Sequence, residues 1–530
     1  MKRTLFKKLS LGMLFSGFLC LGVAGVVGHH RTAQPVFATT PDVIIDSDQD
    51  MMDLIDACNA GVTYEGQVVR LDADISVTLT KAPTYDSTNK IYSFFNGEFD
   101  GNNHTINVTI NTSDGSTGIW RNINGTVHDL NLAGEIVNSG AWAEPLCVYN
   151  NGTIRNVHSS VVCNMATPVN YVCGILGVNQ NGGSVVDCSF SGSLKGAQGV
   201  AGIAGKCYKG TISGCVNYGS ISATNYYAGG ILAVLGGDSF TEGIIENCIN
   251  YGAISSTSKD LGGIAGFMYS NNKVRYCSNY GAITSTSTLS SDASYGGIIG
   301  RMRNKDETEG HSTKIEYCYN GGDVTCNYIG GGLIGMIQSN VLPIVEINGC
   351  FVTGNVNVSL AGGKGYGGTL IGWANSSNTS ISNTYCAGAI LGEGFVGVGG
   401  GTAKSTATSI ASGVSSDFKE VVKFIREYTC SQDATIFKAK FHGLSADEES
   451  LLSQVIYYDE LTGFDPKVHD QTYLQAGAYI AGDPYVGANP AHNVFGINKQ
   501  TNTWLILIIT SVLSISTLTA FIVIKRKRSC

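Results

Sequence analysis

Residues 248–266 read CINYGAISSTSKDLGGIAG, and residues 277–300 read CSNYGAITSTSTLSSDASYGGIIG. Cys, Asn, Tyr, Gly and Ile keep their relative places while the residues between them change in number and kind. A chain that repeats itself every 20–50 residues builds a stack of equivalent units, none of which can bury its apolar face alone. Aligned on that Cys, the frame holds Cys188, Cys215, Cys248, Cys277, Cys318 and Cys350, and extends to Leu130, Val157 and Thr384. Nine copies result, and most carry Gly four places on, as at Gly134, Gly192, Gly219, Gly252, Gly281, Gly322, Gly354 and Gly388. Each copy has two apolar runs, such as GGIAGF and VRYCSNYGAIT, too short for amphipathic helices and β-branched enough for strands. Gly is 69 of 530 residues, Pro only 9 and charged residues 14%, which fits many tight turns between short buried strands rather than disorder. The expected fold is all-β: a right-handed parallel β-helix, or β-solenoid, of about nine repeats. Uneven spacing is absorbed by edge loops such as RNKDETEGHSTK, 303–314.

A second block recurs in register with the first: GILG at 174–177, GIAG at 202–205, GGILA at 229–233, GGIAG at 262–266, GGIIG at 296–300, GGLIG at 331–335 and GGTLIG at 367–372. These blocks resemble the GLUG motif of bacterial surface proteins. FFNGEFDGNNHTI, 94–106, is similar to the segment that opens such arrays, and GTVHDLNLAGEI, 125–136, to their first full copy. The resemblance covers roughly residues 90 to 401. GLUG arrays also occur beside protease domains in streptococcal immunoglobulin A proteases, but this sequence shows no metalloprotease part.

Within a rung, the recurring Cys is expected as a small buried hydrophobe with a free thiol. The rival reading is a disulfide framework, for which Cys163–Cys173 and Cys318–Cys326 are the local pairs to check. Asn217, Asn250, Asn279 and Asn320 are expected at a corner, amide to amide between rungs, with the Gly two places on providing a turn at positive φ. Tyr218, Tyr251 and Tyr280 lie between them. They read either as an aromatic stack holding adjacent rungs or as exposed ligand-facing rings on which a sugar or a partner peptide stacks.

The two ends give an address. The first 38 residues have a basic start, a long apolar run and the site VFA, which predicts a secretory signal peptide cut after Ala38. A lipoprotein reading at Cys20 is disfavoured by Leu19 before it, and a retained anchor is the other alternative. Residues 504–524 carry no charge and suffice to cross a bilayer, and Lys525 to Arg528 then place the tail inside and the body outside. Removing both ends takes away nine basic and no acidic side chains, moving the net charge from −8 to −17. A body so acidic argues against a nucleic-acid partner.

Just before the span stands NKQTN, comprising Asn498, Lys499, Gln500, Thr501 and Asn502. Pentapeptide, apolar span and basic tail in that order resemble the cell-wall sorting signal of Gram-positive bacteria, here the NPQTN-like variant read by class B sortases. The resemblance implies sortase and peptidoglycan as partners, with cleavage between Thr501 and Asn502. Lys499 departs from the family's Pro, so a plain single-span membrane protein stays open.

Residues 1–38 are thus the signal peptide, 39–117 an N-terminal cap with the first coils, and 118–401 the repeat solenoid. Residues 402–497 form a small α-rich or α+β module and spacer, and 498–530 the sorting signal. DQDMMDLIDACNAG, 48–61, has the spacing of a short amphipathic helix ended by Gly61, suited to covering the open end of the solenoid. Asp46, Asp48 and Asp50 have a calcium-like spacing, but Met51 stands where a calcium loop needs Gly, so helix capping is expected. His104, His128, His158, His311, His442, His469 and His492 stand apart in sequence, and no HExxH, nucleophile elbow, P-loop or CxxC is present. No catalytic residue, cofactor or metal is expected. The expected function is a surface-anchored adhesin for a host or matrix ligand, with a glycan among the candidates. The alternatives are a β-helical polysaccharide lyase or hydrolase and a purely structural envelope spacer.

Overall fold

A computed structural model describes residues 40–400, except 87–90, 238–241, 258, 289–292, 304–312, 339–344, 349, 353, 360–364, 375–378, 383 and 387–397. Ala38, the module at 402–497, the pentapeptide Asn498 to Asn502 and the span 504–524 lie outside the described residues. From Asp42 to Gly400 the described residues form a parallel β-solenoid of about nine turns. Its strands fall into sheets of 28, 11 and 6 strands, and a two-stranded hairpin stands beside them.

One turn shows how the sequence closes. Thr211–Ser213, Val216–Asn217 and Ser220–Ala223 belong to the largest sheet, Tyr226–Gly229 to the six-stranded and Leu232–Leu235 to the eleven-stranded one. The next turn lies on it in register, pairing Ile212 with Ile245, Asn217 with Asn250, Ile221 with Ile254 and Leu232 with Ala265, all parallel. Identical residues at one frame position therefore meet one rung apart, about 4.8 Å along the stack. Ile212, Ile245, Val274, Ile315 and Ile347 make one such column, each at most 1% exposed. Burying each aliphatic side chain so completely contributes about 1.5–3 kcal/mol.

The recurring cysteines follow the same rule. Cys188, Cys215, Cys248, Cys277, Cys318 and Cys350 are all fully buried, and the twelve cysteines characterised among the described residues, Cys163, Cys173 and Cys326 included, are free. Each ladder thiol lies within weak hydrogen-bond reach of main-chain carbonyls: Cys248 Sγ is 3.2 Å from Glu246 O and 3.8 Å from Ile212 O. Burial pushes the thiols of Cys188, Cys215 and Cys248 well up, so they are unreactive.

The corner asparagines form a continuous side-chain ladder. Asn217 donates to Asn250 at 2.6 Å, Asn250 to Asn279 at 2.7 Å and Asn279 to Asn320 at 2.7 Å, with all four fully buried. Each Nδ2 also donates to the carbonyl of the Gly two places on, as Asn250 does to Gly252 at 2.9 Å. A second buried rung of this kind, Asn150 to Asn179 at 2.8 Å, and an exposed ladder through Asn96, Asn124, Asn151 and Asn181 were not foreseen in the sequence.

The role expected of the glycines is corrected. Gly219, Gly252, Gly281 and Gly322 do not have positive φ. They are glycine because the backbones of successive rungs come too close there: a Cβ on Gly252 would overlap the Gly219 carbonyl oxygen, and one on Gly281 the Gly252 oxygen. Left-handed backbone occurs instead one place before the Cys, at Asp129, Asn156, Asp187, Gly214, Asn247, Tyr276 and Tyr317. Asn, Asp and Gly are the residues that accept this conformation most readily.

The N-terminal end is closed as expected. The helix Asp48–Asn59 buries Met51, Leu54, Ile55 and Cys58 against the core, and Gly61 follows it at φ 97°. Ser47 caps it, accepting from the Asp50 amide at 3.3 Å while its hydroxyl donates to Asp50 Oδ2 at 2.6 Å. Asp48 accepts from the Ser76 amide at 2.6 Å, so both carboxylates tie down main chain. Beneath the helix, Phe95, Phe99 and Trp120 pack at centroid distances of 5.0–6.2 Å.

If the buried ladder holds the corner, Asn279→Ala will take away the ladder acceptor of Asn250 Nδ2 and the ladder donor to Asn320 Oδ1. Urea unfolding is expected to show a loss of about 1–3 kcal/mol, whereas Asn151→Ala on the exposed ladder stays near zero. Equal effects at the two positions would contradict this account.

Candidate functional site

In the strands of the eleven-stranded sheet, alternate residues point outward. In Ala204–Tyr208, Cys207 belongs to the core while Lys206 and Tyr208 face away from it; in Ala265–Tyr269, Phe267 and Tyr269 do the same around Met268. The register puts Val178, Lys206, Val234, Phe267 and Arg301 in one outward column. Tyr208 and Tyr269 belong to the next column, two rungs apart, with Gly236 at the place between them.

A cleft of about 270 Å³ opens on this face, lined by Lys206, Tyr208, Val234, Gly236, Phe267 and Tyr269, with Tyr171 and Tyr227 on its flank. Its floor is a small apolar cluster separate from the main core, made by Ala201, Ala233, Val234 and Phe267 with Tyr227 and Tyr269 packed on it. Phe267 stands edge-on to Tyr227 and to Tyr269, each at 4.9 Å. Lys206 Nζ lies 4.6 Å from the Tyr171 ring centre and 5.8 Å from that of Trp142, within cation–π range. Burial pushes the Tyr171 and Tyr227 phenols up to about 12, so both hold their protons and can donate.

The cleft is one end of a longer strip. Trp142 meets Tyr171 at 4.7 Å and Tyr149 at 6.3 Å, and Arg121 lies over Tyr149 at 5.5 Å and over Tyr85 at 4.2 Å. Tyr85 belongs to the hairpin and meets Tyr92 at 5.3 Å. Aromatic rings and two cations thus alternate over successive rungs of one outer face.

Tyr218, Tyr251 and Tyr280 lie on the largest sheet's corner instead. Their rings stack at 5.2 and 5.1 Å with planes 9° and 13° apart, and Tyr319 closes the row edge-on at 5.3 Å. All three are half-buried, and Tyr251 has a neighbouring ring on each face. The geometry supplies the rung-holding stack directly. Tyr276 and Tyr317 repeat it at 5.3 Å one corner away.

The histidines of the described region are not isolated. His128, nearly buried, has Nδ1 2.7 Å from Asp129 Oδ2 and Nε2 3.0 Å from Glu98 Oε1, with Asp100 at 3.8 Å. Burial works against its charged form, but the hydrogen bonds to Asp129 and Glu98 prevail and raise its pKa. Among the described residues, donor atoms of Asp100, His128 and Asp129 gather closely enough to hold a metal ion. Arg155, 3.6 Å from Asp129, adds a permanent positive charge to this cluster. His104 sits 3.2 Å from Asp74 in a turn. His158 is buried between Ser189 and Asn156, and burial brings it down to about 4, so it is neutral.

Behind the strip lies a carboxyl that the sequence did not single out. Glu144 is fully buried, and neither carboxyl oxygen has a hydrogen-bond partner among the described residues. It packs against Gly177, where a Cβ would stand 2.7 Å from Oε1. Burial raises its pKa well above the ordinary range, opposed only weakly by Arg121, so it is a neutral acid in the folded chain.

An acid whose folded pKa is raised costs stability as pH climbs above its unfolded value of about 4.3, because the unfolded chain then releases a proton the native state keeps. Glu144→Gln is neutral in both states. Thermal melts are expected to coincide in their pH trend near pH 4, and above that the variant gains on the parent by about 1.4 kcal/mol per pH unit until the native carboxyl ionises. A difference independent of pH would show that the carboxyl is ionised or paired.

No family model and no curated protein matches this chain. Among solved structures it is similar to a candidate immunoglobulin A1 protease from Bacteroides ovatus, with a TM-score of 0.33 and 17% identity over 60% of this chain and 77% of that one.

Proposed function

We propose that this β-helical chain is a binding protein displayed outside the cell. In this reading the signal peptide is removed after Ala38, a class B-like sortase joins Thr501 to peptidoglycan, and the solenoid acts as a stalk that presents a ligand-binding face. The observation that carries the reading is the outward aromatic strip from Tyr85 to Tyr269, with its cleft at Lys206. Core packing gives no reason to place so many large rings on the outside of a sheet. Rings of this amphipathic type give contact area at little entropic cost, which suits a glycan or a matrix protein. The net charge of the body disfavours nucleic acid.

Two measurements test it. Muramidase digestion of cell walls is expected to release the protein with Thr501 as its last residue and a wall fragment attached. Recovery in detergent with residues 503–530 intact would instead mean simple membrane retention. Glycan and host-matrix arrays probed with the protein released from cells are expected to show saturable binding without turnover. Cleavage of an arrayed glycan would make the chain a carbohydrate-active enzyme, and no binding at all would leave a structural spacer.

A further inference from the structure

The cleft's dimensions and chemistry restrict its ligand further. Tyr208 and Tyr269 stand two rungs apart, roughly 10 Å at the spacing of parallel strands. Gly236 between them contributes no side chain. This gap is built into the backbone. Gly236 has φ 85°, and a Cβ there would overlap the Asn272 amide group. Asn272 is itself fully buried and pinned, donating to Tyr269 O at 2.9 Å and Ser270 O at 2.8 Å while accepting from the Gly243 amide at 2.7 Å. Asn272 therefore fills the space a side chain at position 236 would need, and this rung can offer only main chain between the two tyrosines.

Two tyrosine side chains from strands two rungs apart, with only main chain at Gly236 between them, offer a ring-shaped ligand apolar contact along its faces. A cavity of about 270 Å³ lies just under the usual range for drug-sized ligands, so it takes a unit of one sugar ring rather than an extended peptide. The floor at Val234 and Phe267 is apolar, as the C–H face of a sugar requires, and the rim carries phenol hydroxyls that stay protonated. At one side stands Lys206, the cation of the cleft, on a chain whose net charge is strongly negative.

We infer that this cleft binds one carboxylated pyranose of a glycan, a hexuronate or a sialate, with the ring in the notch between Tyr208 and Tyr269 over Gly236 and the carboxylate on Lys206. The inference rests on the reading of the chain as a binding protein and names the ligand of its strip.

The test is calorimetric titration of the full chain in mild detergent with four probes: a glucuronate oligomer and its glucose counterpart, and sialyllactose and lactose. The charged member of at least one pair is expected to bind, weakening as salt is raised. Lys206→Met is expected to lose about tenfold or more towards the charged probe and almost nothing towards its neutral counterpart. Tyr269→Ala is expected to weaken both, with an unchanged circular dichroism spectrum showing that the fold persists. The glucuronate and sialyllactose arms decide which carboxylated sugar it is. Equal binding of charged and neutral members, or a Lys206→Met protein indistinguishable from the parent, overturns the inference while leaving the binding-protein reading intact. Failure of all four probes in a protein that does bind a matrix array also overturns it. Hydrolysis of a probe would overturn the binding-protein reading itself.

Discussion

Every rung of this molecule must be compatible with a copy of itself lying about 4.8 Å above and below. That single constraint selects the residues. At the core positions it favours apolar side chains that stack on a similar neighbour, as Ile212 does on Ile245 and Ile245 on Val274. At the corners it selects Asn, whose amide is both donor and acceptor and so passes a hydrogen bond unchanged from rung to rung. Where two backbones run closest it leaves no room for a Cβ at all. The recurring Cys needs no chemistry in this scheme: it is a small apolar group whose hydrogen goes to a carbonyl.

The same constraint explains which parts could be read from the sequence. Features that repeat were legible: the frame, the buried thiols, the corner amides, the tyrosine stack and the helix that closes the end. The glycines were placed correctly and explained wrongly, because a recurrent Gly suggests a turn, whereas these stand where neighbouring rungs crowd. The left-handed residue was missed because its identity changes from Asp129 to Tyr317 while its backbone does not.

The site was legible only in outline. An aromatic face was foreseen, but at Tyr218, Tyr251 and Tyr280, where identity repeats. The cleft gathers Tyr171, Lys206, Tyr208, Tyr227 and Phe267, which do not repeat one residue at one place of the frame and come from several turns. A signal did exist. The segments GIAGKCY, GGIAGFMY and GGIIGRMR place Lys206, Phe267 and Arg301 directly after the last Gly of the second block, and Tyr208, Tyr269 and Arg303 two places on. Reading that block with a period of two would have shown an outward row of rings and cations. The enclosure of His128 by Glu98 and Asp129 was hidden for another reason: it depends on which turn lies against which, and only the register pairing His128 with Asp100 reveals it.

The central claim is that the molecule separates its two aromatic rows by task, one holding rungs together and one facing outward to a ligand. Hydrogen exchange read by mass spectrometry, on the full chain with and without a saturating glycan, tests this most directly. The account predicts new protection in peptides spanning 204–208, 226–237 and 265–269, and none in those spanning 216–220, 249–252 and 278–281. Protection at the second set, with the first unchanged, would contradict it and move the binding face to the Tyr218, Tyr251 and Tyr280 stack.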